Sequence, residues 1–498
     1  MEKLLLRELA PAVGGRLLGG MPEETEILSV VTDSRKITPG CVFFALSGER
    51  FDGHAYVEAA LEQGAAGCVV SREPESLLPG KFYVLVQDTR RALGDLAHYY
   101  RKKFDVRVVG ITGSVGKTTC RTMVEAVLSR HFSVHATAGN FNNDIGLPMT
   151  IFGLSAGDEV LVLEMGMNHF GEIRRLSEIA EPDIAVITNI GTAHIGILGS
   201  RENIFAAKKE IFEGMRPGAA AVLCGDDEYL PRIAQDPSLS EKFHLLYAGA
   251  DPRCTFRTED ARLEVGEISA EEDRVELVTA CSIHMPPVEN GAAGAAGEDL
   301  EESGQTGRER VLRVRIPAAG LHLQIPASIA AAVGSLLGMT DEEICEGIRD
   351  FSGQRMLCEK IGEILLFDDT YNASPDSMRS SLQVLSCLPV GRRAAVLGDM
   401  LEQGTFAPQL HREVGAAAAQ AGIDTLITVG PLSAEMAQEA RKGGVPDVRE
   451  FPDRESAEAA VEEITRPGTA ILFKASHSIA LDRLAEISRR KAERLRSC

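Results

Sequence analysis

Four apolar runs of strand length recur in the middle of the chain: VRVVGITG (106–113), EVLVLEMG (159–166), DIAVITNIG (183–191) and AAAVLCGDD (219–227). Each ends in Gly, Asp or Asn and gives way to a helical pattern. Continuous rather than alternating hydrophobicity marks strands buried on both faces, which is how strands of a parallel sheet read when helices cover them. This feature predicts a central doubly wound α/β domain. A second series, EILLFDD (363–369), AAVLGDM (394–400), DTLITVG (424–430) and TAILFKAS (469–476), is separated by Ala- and Glu-rich helical segments and predicts a separate Rossmann-like domain. The first hundred residues hold shorter strand candidates, 41–46, 66–70 and 82–86, with a helix near 55–63. With 498 residues, against about 150 per domain, three domains are expected. They are a small N-terminal α/β domain (1–104), a central P-loop mononucleotide-binding sheet (105–338) and the Rossmann-like domain (339–498).

Asp and Glu number 73 against 52 Lys and Arg, a net charge of −21 that repels nucleic acid and anionic lipid. An anionic ligand must therefore be held by local devices. The ten Cys form no CxxC pair, so neither a disulfide framework nor a structural zinc is signalled, and reduced cytoplasmic thiols are expected. The N-terminal apolar run is too short for a signal peptide. Segment 316–340 lacks charged residues, yet Pro317, His322, Gln324 and Pro326 argue for a buried small-residue helix rather than a membrane span. Segment 288–307 holds five Gly and five acids with no Lys or Arg, and reads as a flexible surface insertion or an acidic docking loop.

The first apolar run passes into Gly110, Ile111, Thr112, Gly113, Ser114, Val115, Gly116, Lys117, Thr118 and Thr119, then into a helical pattern. Strand, Gly-rich loop and helix are what a phosphate-binding loop needs. Its amides face the phosphates, Lys117 reaches the β and γ oxygens, and Thr118 can ligate Mg²⁺. The strict spacing asks for Gly at 111, where Ile stands. Glu164 and His194 follow other strand ends, the side of an open α/β sheet where ligands collect. Taken alone, Glu164 reads equally as a capping carboxylate and His194 as a satisfied loop residue.

With TDSRKITPGCVFFALSGERFDGH (32–54), GNFNNDIGLP (139–148), EMGMNHFGEI (164–173), AKKEIF (207–212), DDTYNASPDSM (368–378) and GDMLEQG (398–404), the chain resembles the Mur ligase family over nearly its whole length. These are ATP-dependent amide-forming enzymes of peptidoglycan precursor synthesis. The segments resemble most the branch that adds D-alanyl-D-alanine to UDP-N-acetylmuramoyl-tripeptide. Other muramyl or glutamyl ligases, or a regulatory paralogue, stay open as alternatives. The resemblance implies an acyl-phosphate route with ATP and two Mg²⁺ ions. It implies catalytic Lys117, Glu164, His194 and Lys208, with Lys208 as a carbamate joining Thr118, Glu164 and His194 at the metal. It also implies substrate contacts from Ser34, Arg35, Asn140, Asn142, Asn143, Tyr371, Asn372 and Ser374, and nucleotide contacts from Arg355, Asp368 and Asp369. A cytoplasmic monomer is expected, with no nucleic acid and no membrane span. Three places depart from the family pattern: Leu323 and Pro326 stand where Asn residues near the adenine are usual, Ser374 where Asn is usual, and His477 ends Lys474-Ala-Ser-His with Asp482 beyond. His411 reads as structural.

Overall fold

The computed structural model describes residues 1–48, 51–265, 277–287, 309–352 and 357–497. The chain divides into two compact units: residues 1–112, 132–186 and 209–220 form the first, and residues 113–131, 187–208 and 221–498 the second. Both are mixed α/β, as the apolar runs predict.

In the first unit a five-stranded sheet is built from β1 (Arg16–Gly19), β2 (Ser29–Val31), β3 (Cys41–Phe44), β4 (Gly67–Val70) and β5 (Phe82–Leu85), in the order β1–β5–β4–β3–β2. Only β1 runs antiparallel to its neighbour. Every residue of β3 and β4 is buried, which accounts for their unbroken apolar character. Phe43, Cys68, Val70 and Tyr83 pack with Ala60 and Leu61 of the helix Val57–Glu62 into one core. The same unit carries β6 (Arg107–Thr112), β7 (Val134–Ala136), β8 (Val160–Glu164) and β9 (Ile184–Ile187), ordered β7–β8–β6–β9. β6 and β8 run parallel with Ile111 opposite Glu164, so the start of the Gly-rich loop and the Glu164 carboxylate leave the same sheet edge.

The second unit holds β10 (Ala220–Cys224), β11 (His244–Gly249), β12 (Phe256–Val265), β13 (Leu277–Met285) and β14 (Arg310–Ile316) in sequential order. The last three are antiparallel and were not anticipated. β14 alternates buried and solvent-facing residues, the signature of a sheet with one wet face, which a search for continuous apolar runs passes over. The small-residue segment after it forms the helix Gln324–Leu336, with Ala327 and Ile329–Val333 fully buried. No helix among the described residues is long and apolar enough to cross a membrane. Pro326 is the third residue of that helix, where an amide has no intrahelical partner to lose.

The six-stranded sheet of this unit comprises β15 (Leu357–Ile361), β16 (Ile364–Asp368), β17 (Arg392–Gly398), β18 (Thr425–Val429), β19 (Asp447–Phe451) and β20 (Thr469–Lys474), ordered β15–β16–β20–β17–β18–β19. β15 is the antiparallel edge. The parallel strands deliver Asp368, Gly398 and Lys474 to one edge of the sheet. The acidic stretch 288–307 and Arg355 lie outside the described residues.

Candidate active site

The loop 113–116 joins β6 to the helix Lys117–Leu128. Gly116 has φ +81°, and a Cβ on Gly113 would lie 1.8 Å from the Thr188 hydroxyl, so both glycines are dictated by backbone geometry. Gly110 has a different job: it sits inside β6 against Met165 and Pro182, while Ile111 is buried core. The motif's usual glycine at 111 is thus replaced by a packing residue without opening the strand. Lys117 Nζ donates to the carbonyls of Gly113 (2.9 Å) and Ser114 (3.5 Å), folding its cation back over the loop. Ser114 Oγ is buried and has no hydrogen-bond partner among the described residues.

Two residues that sequence reasoning did not single out grip this loop. Asn189 accepts the Ser114 amide on its carbonyl (3.0 Å) and the Val115 amide on Oδ1 (3.0 Å), and its Nδ2 donates to the Val115 carbonyl (2.9 Å). Thr188 Oγ1 donates to the same carbonyl at 2.7 Å.

Lys208 is 2% exposed, on the helix Arg201–Lys209, and makes no hydrogen bond or ion pair among the described residues. Burial holds its pKa far below the usual 10.5, and the positive charge of Lys117 pushes the same way. The amine is therefore poised to be neutral.

His194 precedes the helical turn Ile195–Leu198 with φ +63°, a strained backbone for a residue with a side chain. Its Nδ1 lies 3.5 Å from the carboxylate of Glu402, which itself has φ +63°. Beside them Gly196 and Gly404 meet backbone to backbone: a Cβ on either would come within 2.8 Å of the other's chain.

At the Rossmann-like sheet edge, Lys474 and Asp369 form a buried pair at 2.6 Å. Lys474 also donates to the Asn372 carbonyl (3.0 Å), and Ser381 donates to Asp369 (2.7 Å). Asp368 accepts the Thr370 hydroxyl (2.7 Å). Tyr371 is 52% exposed with its ring 6.1 Å from that of His477. Ser374 caps the helix Pro375–Ser386, with Pro375 in the first helical position. His411 is fully buried, accepting the Met400 amide on Nε2 and donating from Nδ1 to the Ala407 carbonyl. Burial lowers its pKa, as suits a neutral structural ring.

In the first unit Glu164 is 2% exposed and accepts from Asn142 Nδ2 at 2.9 Å. Asn143 Oδ1 accepts the amides of Ile145 and Gly146, opening the helix Gly146–Ile151, and Asn140 is exposed. Asp33 accepts from the Arg35 amide and guanidinium, which draws its carboxyl down to about 2 and leaves Arg35 on the surface beside Ser34. Among the described residues no three His, Cys, Asp or Glu side chains converge as a ready metal cluster.

Comparison with known proteins converges on one family. Residues 26–101 match the Mur ligase family catalytic domain, 111–286 the Mur ligase middle domain and 354–477 the Mur ligase glutamate ligase domain. The UDP-N-acetylmuramoyl-tripeptide–D-alanyl-D-alanine ligase of Bacillus subtilis is 35% identical over 491 residues, 98% of each chain. The Escherichia coli ligase of the same name is 34% identical over 87% of each. Among solved structures, MurF from Acinetobacter baumannii aligns with TM-score 0.83 at 28% identity, covering 98% of this chain and 99% of its own. MurF from Thermotoga maritima in complex with ADP aligns at 0.77 and 26%, covering 94% and 98%.

Proposed function

The chain belongs to the Mur ligase family, and we propose that it uses ATP to join D-alanyl-D-alanine to UDP-N-acetylmuramoyl-tripeptide, the reaction in the name of its relatives. The observation that carries this reading within the molecule is the loop at 113–116: amides held in place, a lysine folded over them and a buried Ser114 hydroxyl without a partner among the described residues. A triphosphate supplies acceptors for the lysine and the hydroxyl.

The chemistry runs in two displacements. A carboxylate oxygen of the tripeptide attacks the γ-phosphorus, the bond to the β-phosphate oxygen breaks, and ADP departs from an acyl phosphate. The dipeptide amine then attacks the acyl carbon, loses a proton, and phosphate leaves as the C–N bond is completed. Lys117 exchanges its two loop carbonyls for phosphoryl oxygens and neutralises charge that grows in the first step. Asp368 offers a carboxylate to the ribose hydroxyls. Asp369 is already engaged by Lys474 and Ser381, so its part is to shape the turn that presents Tyr371, Asn372 and Ser374 to the dipeptide. We assign Ser34 and Arg35 to the uridine nucleotide end of the substrate, and Asn140, Asn142 and Asn143 to its reacting end.

The donor set suits Mg²⁺, a hard cation that takes oxygen ligands. We assign Thr118, Glu164, His194 and a carbamylated Lys208 as the residues that would hold it. Bound Mg²⁺ supplies charge neutralisation at the transferring phosphoryl group. The burial of Lys208 favours the amine over the ammonium, and only the amine adds to CO₂, forming an N–C bond with release of one proton. That converts a cation costly to bury into an anion with a use. The nine cysteines of the described residues are all free thiols, which fits the cytoplasm, where we place the enzyme as a monomer.

Incubation with ATP, Mg²⁺, UDP-N-acetylmuramoyl-tripeptide and D-alanyl-D-alanine, followed by mass analysis, tests the proposal. The product is expected to be heavier by the dipeptide less one water, with one ADP per bond. Product only with a different amine or nucleotide acceptor would replace this reading with another ligase specificity.

A further inference from the structure

The grip of Asn189 on the phosphate loop is itself held from behind. Its neighbour Ile190 has both backbone groups fixed: the amide donates to Asp227 Oδ2 at 2.8 Å, and the carbonyl accepts from Arg201 Nε (3.1 Å) and Nη2 (2.8 Å). Asp227 is locked in turn by the amides of Tyr229 and Leu230 at its other oxygen (2.8 and 3.0 Å). The Arg201 guanidinium pairs with Glu228 at 2.8 Å and lies 4.7 Å above the Tyr229 ring. Arg201 is the first residue of the helix on which Lys208 is the last residue but one. A continuous set of hydrogen bonds therefore runs from that helix through Arg201, Ile190 and Asn189 to the amides of Ser114 and Val115.

We propose that Asn189 is a positioning residue for the phosphate loop, taking up the Ser114 and Val115 amides itself so that the rest of the loop is preset for the nucleotide, and that Arg201 and Asp227 brace it so that the loop and the Lys208 helix keep one fixed separation. The need is physical. A loop with left-handed glycines has many conformations in the free chain, and ordering it at the moment of binding costs affinity. Three side-chain and backbone bonds from one asparagine remove that cost beforehand. The same bracing explains why Gly113 cannot carry a side chain: the loop is drawn against Thr188 and Asn189.

The inference rests on the reading of 113–116 as the seat of ATP, and the experiment separates the two. Full-length wild type, Asn189→Ala and Arg201→Ala are compared without nucleotide by hydrogen exchange of the 108–120 segment. They are then titrated with ADP by calorimetry and assayed for the KM of ATP and of D-alanyl-D-alanine. Asn189→Ala should speed exchange at Val115 and weaken ADP binding and raise the ATP KM about tenfold, the scale of one or two lost hydrogen bonds to buried backbone. The dipeptide KM should not move. Arg201→Ala, a partly exposed surface substitution that leaves the fold intact, should give the same pattern at roughly threefold. Unchanged exchange and unchanged ADP affinity in both variants would overturn the inference. A wild type that fails to bind ADP would overturn the functional reading instead, and equal losses for ATP and dipeptide would mark Asn189 as merely structural.

Discussion

Two lysines of the second unit are equally hidden, each 2% exposed, and have opposite surroundings. Lys474 ends a parallel strand facing Asp369 at 2.6 Å and the Asn372 carbonyl at 3.0 Å. Lys208 forms no ion pair with a carboxylate among the described residues, and the like charge of Lys117 acts against its ammonium form. A buried ammonium is tolerated when a carboxylate and further acceptors replace its water, as at Lys474. Where nothing replaces that water the proton leaves instead, and a nucleophilic amine remains. The contrast teaches that burial alone does not assign a lysine: its partners sort it into a structural pin or a group awaiting chemistry.

The largest effect that could break this contrast lies in catalysis. Lys208→Ala should lower ligation by roughly 10²–10³-fold, the usual cost of one preorganised charge, without a large change in melting temperature. Formate or acetate should restore part of the activity by filling the vacated space with a carboxylate, and wild-type activity should fall in CO₂-depleted buffer. An alanine variant with full activity in the absence of added acid would end the carbamate assignment.

Lys474 should answer in stability. Lys474→Met strands the Asp369 carboxylate in the interior, and loss of one member of a buried pair costs about 3–5 kcal/mol. The double variant Lys474→Met/Asp369→Asn should recover a good part of that on denaturant unfolding. A single variant as stable as wild type would place Lys474 with Lys208, as a residue kept for chemistry.

A subtler separation comes from pH. The folded-state pKa of Lys208 lies below its unfolded value of 10.5, so the unfolded chain binds the extra proton in the interval between them. In CO₂-free buffer the residue's contribution to stability is complete above 10.5 and declines as pH falls toward the folded value. Lys208→Met should therefore be stabilised relative to wild type most at the acid end of that interval, with the gap closing as pH rises. A stability difference independent of pH would mean that Lys208 stays charged in the folded protein.

The smallest effect concerns the base of the nucleotide. Leu323 and Pro326 are both buried and offer no side-chain hydrogen bond to a base edge. Discrimination of ATP over GTP in kcat/KM should be several-fold weaker here than in the Leu323→Asn/Pro326→Asn variant. Equal and strong preference for ATP in both would show that other groups read the adenine.

Much of this site could be read along the chain, and what escaped shares a cause. The phosphate loop was legible because its glycines, lysine and flanking strand are contiguous. Asn189 escaped because its partners, Ser114 and Val115, are brought to it only by the sheet order, and nothing local distinguishes it from any residue after a strand. The burial of Lys208 left a trace that went unused: Ile204 precedes it by one helical turn and Ile211 follows by another, so Lys208 lies on the apolar stripe. Ser374 shows the reverse. The resemblance implies a substrate contact for it, and Ser followed by Pro at a helix start also signals the cap that it forms, which the resemblance does not mention. The antiparallel strands β12–β14 were missed because a period of two was not sought where a continuous run was expected.

The meeting of Gly196 and Gly404 bears on how this protein can vary. Where two chain segments touch through bare backbone, neither residue can be exchanged for a larger one and compensated by a smaller one opposite, since nothing smaller than glycine exists. Covariation, the ordinary route by which contacts drift between relatives, is closed at this point. The loop around Glu402 and the turn after His194 are thus free to change in chemistry at Ile197 and Thr405, which face solvent, yet bound to keep their spacing to the width of two main chains.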